Sequence, residues 1–226
     1  MKSFFVTGID TGIGKTVFTS ALAHLMRNSG VNVGVMKPFA TGVSRNNAIQ
    51  SEDVELLLKY SGCSDDQKLV NPYFFTIPTS PFMAAKKLEK TIDVDLVLSL
   101  FEKLQSLHDV VLVEGIGGIM TPILKDYFVV DLIKDLHLDA LLVSGTKMGS
   151  VNHTMLTIEA CKKYGIKIAG LALSQTDVDG YSLDDLEFNL VSLSGIDVLC
   201  KIPHYTKDTI EETSKILQQN NVLSRL

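Results

Sequence analysis

Phe4-Phe5-Val6 runs straight into TGIDTGIGKT, Thr7 to Thr16, and the chain then takes up a helical period. From Lys15 to Asn28 the residues Val17, Ala21, Leu22, Leu25 and Met26 return to one face, and Gly30 follows in a natural C-cap position. A strand that feeds a glycine-rich turn opening a helix is a narrow architectural choice. It gathers backbone N–H groups and the positive end of a helix dipole on one point, where an anion can sit. The turn does not follow the usual G-x-x-x-x-G-K-[ST] spacing. One residue too many separates Gly8 from Gly14, and the pattern's first glycine would fall on Ile9. The context still reads as a phosphate loop, with Lys15 reaching the β- and γ-phosphates and the Thr16 hydroxyl on Mg²⁺. The alternative is a strand-to-helix turn with an incidental Lys-Thr.

Short apolar runs rich in β-branched and aromatic residues recur along the chain: Phe4 to Val6, Val31 to Met36, Val110 to Val113, Ala140 to Val143, Ile168 to Leu173 and Val198 to Ile202. Such runs suit strands covered on both faces. Helical periods lie between most of them, one at Asn152 to Tyr164 before Gly165. The alternation implies an α/β fold with a doubly wound, mostly parallel sheet of P-loop NTPase-like type, flanked by helices. At 226 residues, 1–226 reads as one domain. Pro38 to Lys90 breaks the rhythm: a short helix fits Asp53 to Tyr60, whereas NPYFFTIPTSP at Asn71 to Pro81 has no consistent period. An excursion of that length is more often functional than connective.

A net charge of -5 with no extended basic cluster argues against nucleic acid or an anionic membrane as partner. No apolar run approaches the ~20 residues of a membrane span, and no secretory pattern opens the chain, so a cytoplasmic location is expected. The three cysteines, Cys63, Cys161 and Cys200, show no metal-ligand spacing and read as thiols in a reducing compartment.

Mg²⁺ takes hard oxygen ligands, so a carboxylate is expected beside Thr16. DVVLVEG puts Glu114 at the tip of an apolar strand, the ligand side of a doubly wound sheet, where it could also merely cap a turn. Asp53 is the second candidate, or else a helix N-cap. Lys37 closes the strand in GVMKPFATG and could neutralise a second anion; taken alone it also reads as a solvated loop lysine.

Together FVTGIDTGIGKT at 5–16, MKPFATG at 36–42, Asp53, VNPYFFTIPTSP at 70–81, VLVEGIGG at 111–118 and KMGSVNHTMLTIEA at 147–160 resemble the dethiobiotin synthetases, ATP-dependent carboxylases of biotin biosynthesis. The longer gap between Gly8 and Gly14 is that family's form. The resemblance implies that diaminopelargonic acid, CO₂ or bicarbonate, and ATP form dethiobiotin through a carbamate and a carbamic-phosphoric anhydride. By matching position, Thr16, Asp53 and Glu114 would hold Mg²⁺, and Lys15 would steady the transferring phosphoryl group. Thr11, Gly12, Ile13, Gly14 and Val17 would complete the anion cradle, with Gly115, Ile116 and Gly117 beside it. Lys37 would bind the carbamate, with Thr41 and Ser80 contacting substrate. The resemblance further implies a homodimer in which Lys147, Gly149, Ser150, Val151 and Asn152 receive the carboxylate tail of the substrate bound by the partner; Lys147 could instead be a solvated loop residue.

Two positions depart from the family's pattern. Ser174 and Gln175 stand where an asparagine reads adenine, leaving the base to Gln175 and to Pro203, His204 and Tyr205. Phe188 stands where a tyrosine could bind the substrate carboxylate. The rival reading is a partition or regulatory ATPase of the deviant phosphate-loop class, which carries a lysine five residues before the loop's second lysine; here that place is Asp10. An amide-forming ligase of the cobyrinate-diamide type would need a glutaminase domain, for which 226 residues leave no room.

Overall fold

Strands with no polar face need cover on both sides, and the computed structural model, which describes residues 2–42, 51–204 and 209–226, supplies it. The N-terminal half runs β1 (Phe4–Gly8), α1 (Lys15–Asn28), β2 (Val33–Met36), β3 (Phe39–Thr41), α2 (Glu52–Ser61), α3 (Gln67–Val70), β4 (Tyr73–Phe75), α4 (Pro81–Lys87), α5 (Val94–Leu107) and β5 (Val110–Glu114). The chain continues through β6 (Pro122–Leu124), β7 (Tyr127–Phe128), α6 (Val129–Asp135), β8 (Asp139–Gly145), α7 (Ser150–Tyr164), β9 (Ile168–Ser174), α8 (Leu183–Ser194), β10 (Val198–Ile202), α9 (Thr209–Gln219) and α10 (Val222–Arg225).

Six strands form one sheet in the order β10-β9-β8-β1-β5-β2, and every neighbouring pair is parallel. They are the six apolar runs of the sequence. Successive side chains on β1 point to opposite faces. Phe4 and Val6 therefore pack with α1, α2 and α9 through Phe18, Leu22, Val54, Leu57 and Leu217. Phe5 faces the other way, into Val97, Phe101 and Leu104 of α5 and the apolar side of α6. The chain crosses from β1 to β2 and returns to β5 before leaving for β8 on the other flank of β1. The carboxyl ends of β1, β5 and β2 consequently open on one crevice.

Inside the excursion, α2 extends the expected Asp53–Tyr60 helix by a residue at each end, and α7 begins at Ser150 rather than Asn152. The aperiodic NPYFF segment is a strand after all. β4 pairs in parallel with β3 off the main sheet, and Tyr73 stacks on Phe39 and Phe75 with ring centroids 5.4 and 6.2 Å apart. Three residues per strand are too few to display a period, although Tyr73 and Phe75, two apart, share one face as strand alternation requires. Among the described residues no helix is long and apolar enough to cross a membrane.

Candidate active site

The phosphate loop bridges β1 and α1. Gly12 and Gly14 take left-handed φ values of +73° and +90°, and these two turns absorb the extra residue while aiming the loop's amides inward. The first intrahelical bond runs from the Phe18 N–H to the Gly14 carbonyl at 3.0 Å. Among the described residues, the amides of Gly12 to Val17 donate to no other backbone carbonyl, which leaves a ring of donors for an anion. Lys15 is buried; its Nζ donates to the carbonyls of Asp10 at 2.6 Å and Gly117 at 2.9 Å, so the ammonium lies across the cradle. Burial, and then the neighbouring Lys37 ammonium, bring Lys15 down to about 8.

Parallel register sets Glu114 of β5 beside Val6 of β1, just below the loop, and the carboxylate is wholly buried. Its Oε1 accepts from the Thr16 hydroxyl at 2.9 Å and from the Lys37 ammonium, which also pairs with Asp53 at 3.2 Å. Lys37 is 3 % exposed and donates further to the Gly115 carbonyl at 3.0 Å; the solvated-lysine alternative does not hold. Burial works against its charge, but Glu114 and Asp53 outweigh it and keep the ammonium above its ordinary value. Asp53 does not cap α2, a place taken by Ser51, but sits in its first turn facing Lys37 and Thr16. Burial opposes its charge too, yet Lys37 and then Thr16 hold the carboxyl below its usual range.

Two lysines and two carboxylates thus face one cavity of about 300 Å³, which Thr11, Gly12, Gly14, Thr16, Val17, Thr41, Ile116 and Gly117 also line. Glu114 Oε2 is buried with no hydrogen-bond partner among the described residues. With the Thr16 hydroxyl and the Asp53 carboxylate it makes a donor set of hard oxygens that suits a magnesium-like cation.

Other expected residues lie apart from this cavity. Ser80 caps α4, its hydroxyl accepting from the Met83 N–H at 3.4 Å. Ser174 ends β9 against the loop, where its Oγ would lie 2.7 Å from a Cβ added at Gly14. The Gln175 side chain accepts from the His204 N–H at 3.4 Å, joining the tips of β9 and β10 near Pro203. Tyr205 lies outside the described residues. Lys147 and Gly149 are exposed ahead of α7, and Phe188 on α8 is 74 % exposed. A second cavity, of about 270 Å³, joins Asp10 to Ile13 with Lys147, Ser150 and His153.

Asn71 has a role that its motif did not reveal. Buried, it donates to the Lys37 carbonyl at 2.6 Å and the Tyr73 carbonyl at 3.2 Å, pinning the strand end that aims Lys37. His153 lines the second cavity and a third, of about 430 Å³, beside Met120 and Leu156; its spacing gave no hint of either.

A family model described as an AAA domain matches residues 2–212. The chain is 46% identical to the ATP-dependent dethiobiotin synthetase BioD of Nitrosopumilus maritimus (strain SCM1), over 100% of this chain and 99% of that protein. It is 35% identical to the enzyme of the same name from Bacillus subtilis (strain 168), over 93% of this chain and 92% of the other. In shape it is similar to the MinD of the MinC:MinD cell division complex of Aquifex aeolicus, with a TM-score of 0.60 at 14% identity, over 99% and 96% of the two chains. A ParA family ATPase from Chlorobium tepidum TLS gives 0.57 at 15% identity, over 98% and 99%. These two likenesses concern the fold.

Proposed function

The chain belongs to the dethiobiotin synthetase family, and from that membership we propose that the cavity between the phosphate loop, β2 and β5 carries its chemistry. The activity is an ATP-dependent cyclo-ligase reaction of biotin biosynthesis that forms C–N bonds. Carbon dioxide captured by one amine of diaminopelargonic acid is a carbamate, a poor electrophile because oxide is a poor leaving group. Transfer of the γ-phosphoryl group of ATP to the carbamate oxygen gives a carbamic-phosphoric anhydride. The second amine attacks its carbonyl, phosphate leaves with the electron pair of the broken C–O bond, and loss of the amine proton completes the ring.

For such a sequence a protein contributes chiefly position and charge. The amides of Gly12 to Val17 cradle phosphate oxygens, Lys15 follows the transferring group, and Thr11 closes the lip beside the substrate. Lys37 binds the carbamate, the form in which a neutral amine has become an anion, with Thr41 at its side. Thr16, Asp53 and Glu114 hold Mg²⁺, a choice supported by the orphaned Glu114 Oε2. When bound, Mg²⁺ supplies positive charge to the phosphate oxygens. The carboxylates paired with Lys37 are the same two that would hold the cation, so one cluster would serve both the metal and the anion-binding lysine.

Ser80 remains in this reading as a substrate contact. Ser174, Gln175, Pro203, His204 and Tyr205 receive the base. The segment Lys147 to Asn152, an exposed turn that runs into the first residues of α7, meets the substrate of a partner chain in a cytoplasmic homodimer. The exposed Met120, Met148 and Leu156 around that turn support the pairing, since apolar residues grouped on a surface mark contacts. One domain spans 1–226 in this proposal.

The observation that carries the reading is the buried Lys37 ammonium, which faces the same cavity as Lys15 and is placed to meet an anion there. The protein incubated with ATP, Mg²⁺, bicarbonate and diaminopelargonic acid is expected to yield dethiobiotin by mass. Lys37→Gln and Lys15→Gln are expected to abolish it while keeping the wild-type circular dichroism. Wild-type turnover in either variant would overturn the assignment of roles, and phosphate release indifferent to the diamine would favour the switch reading.

A further inference from the structure

At the far end of the sheet from the phosphate loop, three side chains distant in sequence converge. Cys63 follows α2, Asp65 lies two residues on, and His108 sits between α5 and β5. Their ligating atoms all fall within 4.8 Å of one another. The Cys63 thiol donates to Asp65 Oδ2 at 2.8 Å, and His108 Nε2 stands 2.6 Å from the same oxygen. His108 and Asp65 side chains are 9 % and 15 % exposed, so the cluster is sheltered but open on one side.

The orientation of the imidazole is fixed from behind. Asn32 donates through Nδ2 to the Leu107 carbonyl at 2.9 Å, which turns its Oδ1 toward His108 Nδ1, also at 2.9 Å. An amide oxygen accepts only, so Nδ1 carries a proton and donates. A neutral ring then directs the bare Nε2 lone pair at a carboxylate, an arrangement that needs either a second proton or a cation between them. A second group that holds Nδ1–H and frees Nε2 is the usual companion of a metal-bound histidine. Without a cation, burial and the Asp65 hydrogen bond push the thiol up to about 11, and the S–H serves as donor.

We infer that Cys63, Asp65 and His108 form a binding site for a thiophilic divalent cation of the zinc class, with water in the fourth position. One sulfur, one nitrogen and one oxygen are zinc's ligand types, whereas magnesium and calcium take oxygen. Bonds of ~2.0–2.3 Å to a tetrahedral ion separate its ligands by roughly 3.3–3.6 Å, so Asp65 Oδ2 draws back from the thiol and from Nε2 by about 1 Å or less. On binding, the ion displaces the thiol proton and any proton on Nε2. The site is separate from the Mg²⁺ carboxylates, since β5 carries the chain about 20 Å from His108 to Glu114. Its effect is mechanical: it ties the loop after α2 to the edge of the sheet, and α2 is the helix that presents Asp53.

Chelator-stripped protein held in excess Mg²⁺, so that the oxygen site is filled, is titrated with Zn²⁺ by calorimetry. One equivalent is expected per chain, with a higher melting temperature. Cys63→Ser and His108→Gln should lose that equivalent, and Asn32→Ala should weaken it roughly 10–100-fold. Co²⁺ in place of Zn²⁺ should give a thiolate-to-metal charge-transfer band in the wild-type chain, a readout that does not depend on any variant folding. No binding under excess Mg²⁺, binding undiminished in Cys63→Ser, or a Co²⁺ spectrum without the thiolate band would each overturn the site.

Discussion

Lys15 must be charged to hold phosphate, yet burial and Lys37 bring it down to about 8. Its effects on ATP and on stability therefore run in opposite directions. Between about 8 and its ordinary 10.5 the unfolded chain holds more protons at this site than the folded one, so this lysine's contribution to stability rises with pH across that window. Nucleotide binding needs the proton back. Affinity for ATP, titrated from neutral to alkaline pH, should be flat up to about 8 and then fall about tenfold per pH unit; a flat profile up to pH 10 would refute the assignment. The Lys37–Glu114 pair makes a second case. Removing one partner of a buried pair leaves an uncompensated charge and costs about 3 kcal/mol, whereas replacing both with apolar groups is often neutral. Lys37→Met and Glu114→Leu should each lower the urea midpoint, and the double variant should recover most of the loss while remaining inactive. Losses that merely add would show that the pair is not coupled. A lysine after a strand was legible in GVMKPFATG, but its burial was not, because the cover over it comes from Asn71 and α2, which no local pattern connects to it.

The elements that frame the site differ in how much of themselves they display along the chain. The six sheet strands are visible because cover on both faces makes them continuous apolar runs, and α1 because its larger apolar residues return with a helical period, even though most of the helix, Thr19 and Ser20 included, is buried. The hairpin β6–β7 and the pair β3–β4 are two or three residues per strand, too short for any period, and tertiary contacts define them. The phosphate loop lies between these extremes. Its glycines mark a turn, but only the fold shows why Gly14 has no substitute: φ is +90°, and a Cβ would meet Ser174 Oγ at 2.7 Å. Gly14→Ala should therefore cost about 1–2 kcal/mol of backbone strain, with the side-chain collision in addition. Adding Ser174→Ala should relieve the collision and leave the strain. Thermal melts and ATP titrations should place the double variant between Gly14→Ala and wild type; no recovery would mean that β9 does not press on the loop.

At the scale of the molecule, shape and chemistry separate. The sheet is shared with MinD and ParA proteins at about the same TM-score, a likeness of fold alone, whereas Asp10, Lys37 and Glu114 all stand at the carboxyl ends of strands or in the loop after them, where chemistry is set. The same sheet leaves the turn before α7 on the surface, next to exposed Met148, and its cavity meets that of Lys37 only along Thr11 and Gly12 of the phosphate loop. In the proposed homodimer, a twofold pairing would make two equal sites, each with Lys37 from one chain and Lys147 from the other. Lys37→Gln and Lys147→Glu variants, each impaired alone, then have a distinctive behaviour when mixed. A heterodimer of the two has one site with both lysines intact and one with neither. Random reassortment makes half of the dimers mixed, so activity should return to about a quarter of wild type. Light scattering should give a dimer mass throughout, and the recovery should appear at the rate of subunit exchange. A mixture no more active than its components would confine each site to one chain and remove the 147–152 turn from the substrate's surroundings.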